Sequence, residues 1–293
     1  MEKRPLVLYD IDKTLLDKHY KPNSDRFVDS VIELQRAGWV VGLNSDTPAV
    51  RIARLALEWN CDGPIVSEFG NAIYRNGNEV LSTSDCKPEW TLIPAGEHGM
   101  KFTTAFFLEE LRRSYPEFYI MVGNPTDILQ KLPQWQFDRP LIVVNPYRRF
   151  SLSFFLRLPE GLMNEATGQA LLVKMANIAK ECFGNVTKLS CPDPLVDINH
   201  DYGVAILHYA EARKSAAMTF LSERYAPIIM VGDSMNDYMA EPREISPAIQ
   251  LAVGNATADY KDHCVFSSKL DLTLGAMDCA KWIIENTSRL RGE

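Results

Sequence analysis

The chain has 293 residues, of which 46% are hydrophobic and 24% are charged. These values are ordinary for a globular protein, so the composition excludes a disordered chain, and the length allows one large domain or two smaller ones. The formal net charge of -7 argues against a general binder of nucleic acids or of membrane surfaces, because both partners are anionic.

Neither a targeting segment nor a membrane span is predicted from the sequence. The N-terminal residues run straight into an apolar strand pattern without the hydrophobic region of a signal peptide, and no apolar segment approaches the roughly 20 residues of a membrane helix. We therefore expect a cytoplasmic protein without a membrane partner. The six cysteines are dispersed and include no C-x-x-C pair, which favours reduced thiols over a zinc site or a disulfide framework.

The first predicted element is a strand from Leu6 to Tyr9, and two aspartates, Asp10 and Asp12, follow it. Side chains two residues apart in an extended segment point to the same side, so both carboxylates can face one site. Two like charges this close become favourable when a divalent cation or a proton transfer uses them. The alternative is that both are ordinary turn residues, since D-x-D-x-T alone is a short pattern.

The next elements alternate between helix and strand. The pattern predicts a helix from Ser24 to Ala37, a strand from Trp39 to Leu43, a helix from Thr47 to about Trp59 and a strand beginning at Ile65. Strands that alternate with helices over short loops predict an α/β fold with a doubly wound, parallel, Rossmann-like sheet. Asn76-Gly77 between alternating apolar residues then predicts a β-hairpin.

A polar, irregular stretch at residues 82–90 indicates a domain border. Beyond it the pattern predicts helices near 101–114 and 164–183 and strands near 119–121, 150–158 and 186–189. This mixture is typical of an α+β unit. We therefore expect a cap domain at residues 83–191, inserted into a core domain formed by residues 1–82 and 192–293.

The remaining elements are predicted to complete the core. They are a connecting strand at 195–198, a helical stretch at about 204–225 that carries Lys214, strands at 228–231 and 249–253, and a closing helix at 271–286. The strand at 228–231 ends on Gly232-Asp233-Ser234-Met235-Asn236-Asp237. Acidic residues thus follow a second strand at its carboxyl end, where open α/β sheets bind ligands.

The order of these segments resembles the haloacid dehalogenase superfamily, in particular its Cof-like and sucrose-phosphatase-like phosphatases with an α/β cap between the second and third motifs. Four segments carry the resemblance: Asp10 to Thr14 for the nucleophile motif, Leu43-Asn44-Ser45 for the second, Lys214 for the third and Gly232 to Asp237 for the fourth. Residues 65–72 and 252–256 are similar to further stretches of that branch. The joint order is more specific than any single motif.

The resemblance implies a Mg²⁺-dependent phosphomonoester hydrolase. Asp10 would attack phosphorus to form an aspartyl-phosphate, and Asp12 would protonate the leaving oxygen and later take a proton from water. Because an anionic nucleophile is repelled by an anionic phosphate, a cation is required. Mg²⁺ would be held by Asp10, by the backbone carbonyl of Asp12 and by Asp233.

Further residues of the motifs would assist. Asn44, Ser45 and Lys214 are expected to bind the phosphate, while Asn236 and Asp237 orient the metal site and Lys214. The residue-level alternatives are a helix-entry residue for Ser45, a solvated lysine for Lys214 and a helix cap for Asp233 and Asp237. These alternatives would all have to coincide in this order to replace the phosphatase interpretation.

Two departures from the family pattern leave the substrate open. Lys13 stands where glycine is common, and Ser45-Asp46-Thr47 stands where Cof-like members usually have Thr-Gly-Arg, so an arginine that touches the phosphate or the substrate is missing. Possible substrate contacts in the cap are Arg148, Arg149, Arg157 and Lys188; the alternative is that they are solvated surface residues.

The implied substrate is a small phosphorylated metabolite, with a sugar phosphate as the family-level expectation. One alternative is a phosphotransferase or phosphomutase on the same core, and another is a non-enzymatic ligand-sensing protein. We expect a monomer or homodimer that does not bind nucleic acid.

Overall fold

The structure is a computed structural model that describes residues 3–82, 86–125, 127–128, 138–159, 165–186, 194–200, 203–240 and 244–292. These residues form two compact units. One contains Met1–Leu92 and Ala212–Glu293, and the other contains Ile93–Glu211. Among the described helices, none combines the length and apolar character that crossing a membrane requires.

The first unit is built on one sheet. Its strands, numbered in chain order, are β1 Arg4–Tyr9, β2 Val40–Asn44, β3 Ile65–Ser67, β4 Ala72–Tyr74, β5 Trp90–Thr91, β11 Tyr225–Gly232, β12 Ile249–Ala252 and β13 Phe266–Ser267. The strand order is β13-β12-β11-β1-β2-β3-β4-β5. Pairing is parallel from β13 to β3, and β4 and β5 are added antiparallel.

Helices cover this sheet on both faces. They are α1 Phe27–Arg36, α2 Ala49–Glu58, α3 Gly77–Ser82, α6 Met218–Arg224, α7 Ala258–Lys261, α8 Leu272–Glu285 and α9 Thr287–Arg291. The ring of Tyr9 packs edge-on against Phe27 of α1, with 5.1 Å between ring centroids. Leu8, on the opposite face of β1, lies in a buried cluster with Met218 and Leu221 of α6. The predicted doubly wound parallel α/β fold is confirmed.

The second unit has its own five-stranded sheet. Its strands are β6 Tyr119–Val122, β7 Leu141–Val144, β8 Ser151–Arg157, β9 Pro194–Asn199 and β10 Val204–Tyr209, and its helices are α4 Gly96–Ser114 and α5 Glu165–Val186. The order is β6-β7-β8-β10-β9. Phe107 of α4 contacts Phe154 of β8, and Phe183 of α5 contacts Tyr209 of β10, at 4.9 and 5.4 Å between ring centroids.

The chain passes from one unit to the other at residues 92/93 and 211/212, whereas the predicted domain borders lie at 82/83 and 191/192. The difference at the second border has a local cause. Gly203, with φ of 56°, reverses the chain, so that β10 pairs back antiparallel on β9 within the second unit. The prediction that residues 195–198 form a strand of the core was therefore wrong.

Two further local predictions were wrong, and one strand was not predicted. Residues 204–209 were predicted to be helical, but all six are buried in β10, where a short continuous apolar run gives no period to distinguish strand from helix. The four-residue strand β7 was missed. The hairpin at Asn76-Gly77 is also absent, because the Asn76 Oδ1 accepts a hydrogen bond from the Glu79 backbone N–H at 3.0 Å at the start of α3. Of the predicted strand at 186–189, Val186 ends α5 and residues 187–189 lie outside the described residues.

Candidate active site

The carboxyl ends of three neighbouring strands define one edge of the first unit's sheet. Tyr9 of β1 lies beside Val231 of β11 on one side and beside Leu43 of β2 on the other. The backbone N–H of Asp10 donates to the Val231 carbonyl at 3.0 Å, which continues the pairing by one residue. Because the strands are parallel, the residues that follow each of them meet at this edge.

Three buried carboxylates converge there, from Asp10, Asp233 and Asp237. One oxygen of each lies within 4.8 Å of those of the other two. Carboxylate oxygens are the ligands that Mg²⁺ prefers, and three negative charges this close are favourable when a cation lies among them. The donor chemistry of this cluster therefore fits a magnesium ion.

Asp237 holds the turn that follows β11. Its Oδ2 accepts hydrogen bonds from the backbone N–H groups of Asp233 at 2.9 Å and Ser234 at 3.2 Å. A β-carbon at Gly232 would lie 2.3 Å from the same oxygen, so only glycine leaves room for this carboxylate. The side chain of Asp237 is fully buried, and Asn236, within the same turn, is exposed.

Lys214 supplies a buried positive charge to the cluster. Its ammonium contacts the Asp10 carboxylate and donates to Asp237 Oδ1 at 2.6 Å. Burial alone lowers the pKa of the Lys214 ammonium, but the carboxylates of Asp10 and Asp237 raise it by more, so the net shift is upward. Lys214 is therefore a permanent cation in this site.

One ammonium cannot neutralise three buried carboxylates. Burial, followed by the charge of Asp237, raises the pKa of Asp10 well above its usual range, and contact with Lys214 opposes that rise. The same two causes raise the pKa of Asp233 to about 7. Without a metal, the cluster therefore retains protons near neutral pH.

The loop after β3, within residues 65–72, approaches the backbone at Arg213 and Lys214. Glu68, Phe69 and Gly70 follow β3 and all have positive φ angles, of 49°, 61° and 77°. A β-carbon at Gly70 would lie 2.4 Å from the carbonyl oxygen of Arg213. The close approach of the two backbones requires a glycine, because its φ angle and the available space both exclude a side chain.

Thr14 connects Asp10 and Asp233, the aspartates that follow β1 and β11. Its buried hydroxyl lies 3.3 Å from Asp10 Oδ2 and 3.4 Å from Asp233 Oδ1. Asp10 is thus held at both oxygens, by Thr14 on one and by Lys214 on the other. These two contacts fix the rotamer of the Asp10 carboxylate.

The end of β2 carries the two predicted phosphate-binding residues. Ser45 is fully buried; its Oγ donates to Asp46 Oδ1 at 3.3 Å and accepts from the Thr47 backbone N–H at 3.2 Å. The Asn44 amide nitrogen lies 3.3 Å from the Met239 sulfur. Phosphate binding by Asn44 and Ser45 stays a prediction.

The carboxylate of Asp12 is engaged by an arginine that the sequence analysis missed. Arg51 of α2 donates to both oxygens of Asp12, at 3.0 and 3.2 Å. Among the described residues, the close carboxylate cluster does not include that of Asp12. A guanidinium is therefore present near the second motif, although it does not stand at the position of the family's arginine.

Comparison with known proteins bears on the fold. No protein-family model and no curated protein sequence matches the chain. A haloacid dehalogenase-like hydrolase from Bacteroides thetaiotaomicron superposes with a TM-score of 0.63 at 17% identity, over 96% of this chain and 100% of that chain. A trehalose-6-phosphate phosphatase related protein gives 0.55 at 14% identity, over 97% and 99%. The chain has the haloacid dehalogenase-like fold.

Likenesses at this level of identity show the fold alone. A phosphatase of the haloalkanoate (HAD) enzyme superfamily from Bacteroides thetaiotaomicron also superposes over 97% of this chain and 95% of its own, with 13% identity and a TM-score of 0.53. The predicted resemblance is thus confirmed for the fold.

The predicted cap residues lie in the second unit of the haloacid dehalogenase-like fold. Arg148 donates to the hydroxyls of Ser153 and Ser151 at 2.8 and 2.9 Å. Arg149 forms a two-point ion pair with Glu97, at 2.9 and 2.8 Å.

Arg157 donates to the Leu156 carbonyl at 2.8 Å and lies over the Phe155 ring, 5.8 Å from its centroid. Lys188 falls outside the described residues. Each described arginine is thus bound within its own unit, and a role in substrate binding stays a prediction for all four residues.

The metal-free protein is expected to lose stability as the pH rises from about 4 to about 7. The pKa of Asp233 is raised from its ordinary 3.8 to about 7 in the folded protein, so the folded state keeps a proton that the unfolded chain has released. This advantage is complete below the unfolded pKa and is lost as the pH passes the folded one. It amounts to up to about 4 kcal/mol.

Urea unfolding in EDTA across this pH range measures the effect. Asp233→Asn removes the titrating group, so the decline in its unfolding free energy between pH 4 and pH 7 should be shallower by the same amount. Equal declines in the two proteins would show that Asp233 titrates normally in the fold.

Proposed function

We propose that the chain is a Mg²⁺-dependent phosphomonoester hydrolase that acts through an aspartyl-phosphate on Asp10. The observation that carries the proposal is the buried cluster of Asp10, Asp233 and Asp237, with Lys214 in contact with two of them, at the carboxyl edge of a parallel sheet. Two proteins of similar fold support it: one is named as a phosphatase, and the other as related to trehalose-6-phosphate phosphatase.

Asp10 is the nucleophile in this proposal. Its carboxylate attacks phosphorus and the bond to the leaving oxygen breaks, a covalent route open to carboxylates. Thr14 and Lys214 each hold one of its oxygens, which leaves the carboxylate oriented before the substrate arrives. Lys214 also balances negative charge that the phosphoryl oxygens bring into the site.

Asp10, Asp233 and the backbone carbonyl of Asp12 would hold Mg²⁺. When bound, it would neutralise charge on the phosphoryl oxygens. We assign Asp237 a different role, because one of its oxygens accepts from Lys214 and the other from two backbone N–H groups. Asp237 orients the lysine and the loop that carries Asp233.

Asp12 is the general acid and base. Its carboxyl gives a proton to the leaving oxygen, and its carboxylate then takes a proton from the water that attacks the aspartyl-phosphate. Ser45 donates to a phosphoryl oxygen by turning its hydroxyl from Asp46, and Asn44 is proposed to lie beside it. The substrate is a small phosphorylated metabolite, and a sugar phosphate is the form we favour, since one protein of similar fold is related to trehalose-6-phosphate phosphatase.

Phosphate release from sugar phosphates, nucleotides and other phosphomonoesters tests the proposal. Release should require Mg²⁺, stop in excess EDTA and return when Mg²⁺ is added back. Transfer of phosphate to a second hydroxyl without net release would indicate a phosphotransferase or mutase instead. A folded protein that binds Mg²⁺ but turns over none of these compounds would contradict the hydrolase.

A further inference from the structure

Arg51 makes three polar contacts with its planar guanidinium. Two are the hydrogen bonds to the oxygens of Asp12, and in the third, Nη1 donates to the Thr47 hydroxyl at 3.0 Å. The same group lies over the ring of Tyr20, 4.8 Å from its centroid. Arg51 is therefore itself held, by a hydroxyl from its own helix entry and by an aromatic ring from the loop after β1.

A carboxylate bound at both oxygens by one guanidinium has little freedom to rotate, since the two hydrogen bonds fix its plane. Each carboxylate oxygen has two lone pairs. The two hydrogen bonds from Arg51 use one on each oxygen, so the other remains able to exchange a proton. The contact with Arg51 thus orients the Asp12 carboxyl and leaves its oxygens able to exchange a proton.

We propose that Arg51 is the positioning residue of Asp12, holding its carboxyl in the orientation from which it exchanges a proton with the leaving oxygen and with water. The proposal rests on the hydrolase function given above. In the first step the bond from Asp10 to phosphorus forms, the bond to the leaving oxygen breaks, and that oxygen takes the proton of Asp12.

In the second step water attacks phosphorus, its proton goes to Asp12, and the bond to Asp10 breaks to release phosphate. Asp12 thereby regains the proton that it gave in the first step. Arg51 takes no part in the proton balance, and it acts only through the geometry of Asp12.

The contribution of this ion pair to protein stability does not by itself explain why Arg51 contacts Asp12. The side chains of Arg51 and Asp12 are 25% and 28% exposed, so water screens the pair in part and it contributes less to the free energy of unfolding than a fully buried pair would. Removing Arg51 should therefore lower kcat/KM. The loss should be larger for substrates whose leaving oxygen needs the proton of Asp12.

Two substrates separate this role from a structural one. The alkoxide of glycerol 2-phosphate needs a proton to leave, whereas p-nitrophenolate leaves from p-nitrophenyl phosphate without one. For Arg51→Gln we expect kcat/KM to fall about 10- to 100-fold on glycerol 2-phosphate and less than about 3-fold on p-nitrophenyl phosphate. Arg51→Lys keeps the charge but not the two-point geometry, so it should show the same selective loss.

The matched control is Arg54→Gln, which changes an exposed arginine of the same helix and should leave both values unchanged. In an Asp12→Asn background, Arg51→Gln should cause no further loss, because the group that it positions is already gone. Thr47→Val, which removes only the third contact, should give a smaller loss with the same substrate dependence. If Arg51→Gln does not fold, the same comparison of substrates is made with Thr47→Val.

Three results would overturn the proposal. Equal losses on both substrates would mean that Arg51 supports the whole site, and a loss that adds to that of Asp12→Asn would mean that it acts independently of Asp12. If the wild type is active and Arg51→Gln turns over normally, the role of Arg51 is disproved while the proposed hydrolase function stands. An inactive wild type would instead overturn the hydrolase, and this inference with it.

Discussion

Replacing Asp10 by asparagine should abolish phosphate release, with a loss of about 10⁴-fold or more, in a protein that still folds. An amide cannot form the covalent phosphoryl intermediate. The substitution also removes one of three mutually repelling buried carboxylates, while Lys214 keeps its contact with Asp237. We therefore expect no decrease in the melting temperature of the metal-free protein.

Transfer of labelled phosphate from substrate to protein provides the direct measurement. Acid-quenched wild type should carry the label and Asp10→Asn should not. The matched control is Asp17→Asn, since Asp17 follows in the same loop and accepts backbone hydrogen bonds from His19 and Lys21 that an amide oxygen can still accept. Full turnover by Asp10→Asn would show that the nucleophile is another residue.

Replacing Lys214 by alanine should reduce kcat by about 100-fold or more and also destabilise the protein. Removing one partner of a buried ion pair typically costs about 3–5 kcal/mol, because the remaining charges stay buried. In this site the cost should depend on pH. Asp233 is protonated well below pH 7, so the destabilisation should be larger at about pH 8 than at about pH 5.

Urea unfolding in EDTA at both pH values, together with turnover, measures the two effects. Lys281→Ala is the matched control, because Lys281 is 74% exposed and its pair with Glu285 spans 3.9 Å. A Lys214→Ala protein with unchanged turnover and stability would show that the lysine does not serve the acidic cluster. A destabilisation that does not change with pH would separate its structural role from the titration of the carboxylates.

The parts of the fold that the sequence predicts are those with a local cause. A buried parallel strand is a continuous apolar run, so the strand before Asp10 and the strand before Asp233 are both visible from composition. Parallel strands place their carboxyl ends together, and this geometric rule is enough to expect the two aspartates at one edge. The doubly wound sheet follows from the same alternation of elements.

Features set by distant segments were not predictable in this way. The partner of Asp12 depends on where α2 lies relative to the loop that follows β1, and no local pattern relates Arg51 to a carboxylate 39 positions earlier. The signal that was present is weak: an arginine four residues after Thr47, on the first turns of the helix that follows the second motif. Similarly, a six-residue apolar run at 204–209 has the same composition in a helix as in a strand.

The order of the strands in the first unit also fixes when its parts can meet during synthesis. β1 is the first strand to be made, yet it lies between β2 and β11, so one of its edges has no native neighbour until residues 225–232 have been translated. Asp10 and Lys214 are 204 positions apart. The proposed nucleophile therefore gains its neighbouring cation and carboxylates only after the entire second unit has been translated.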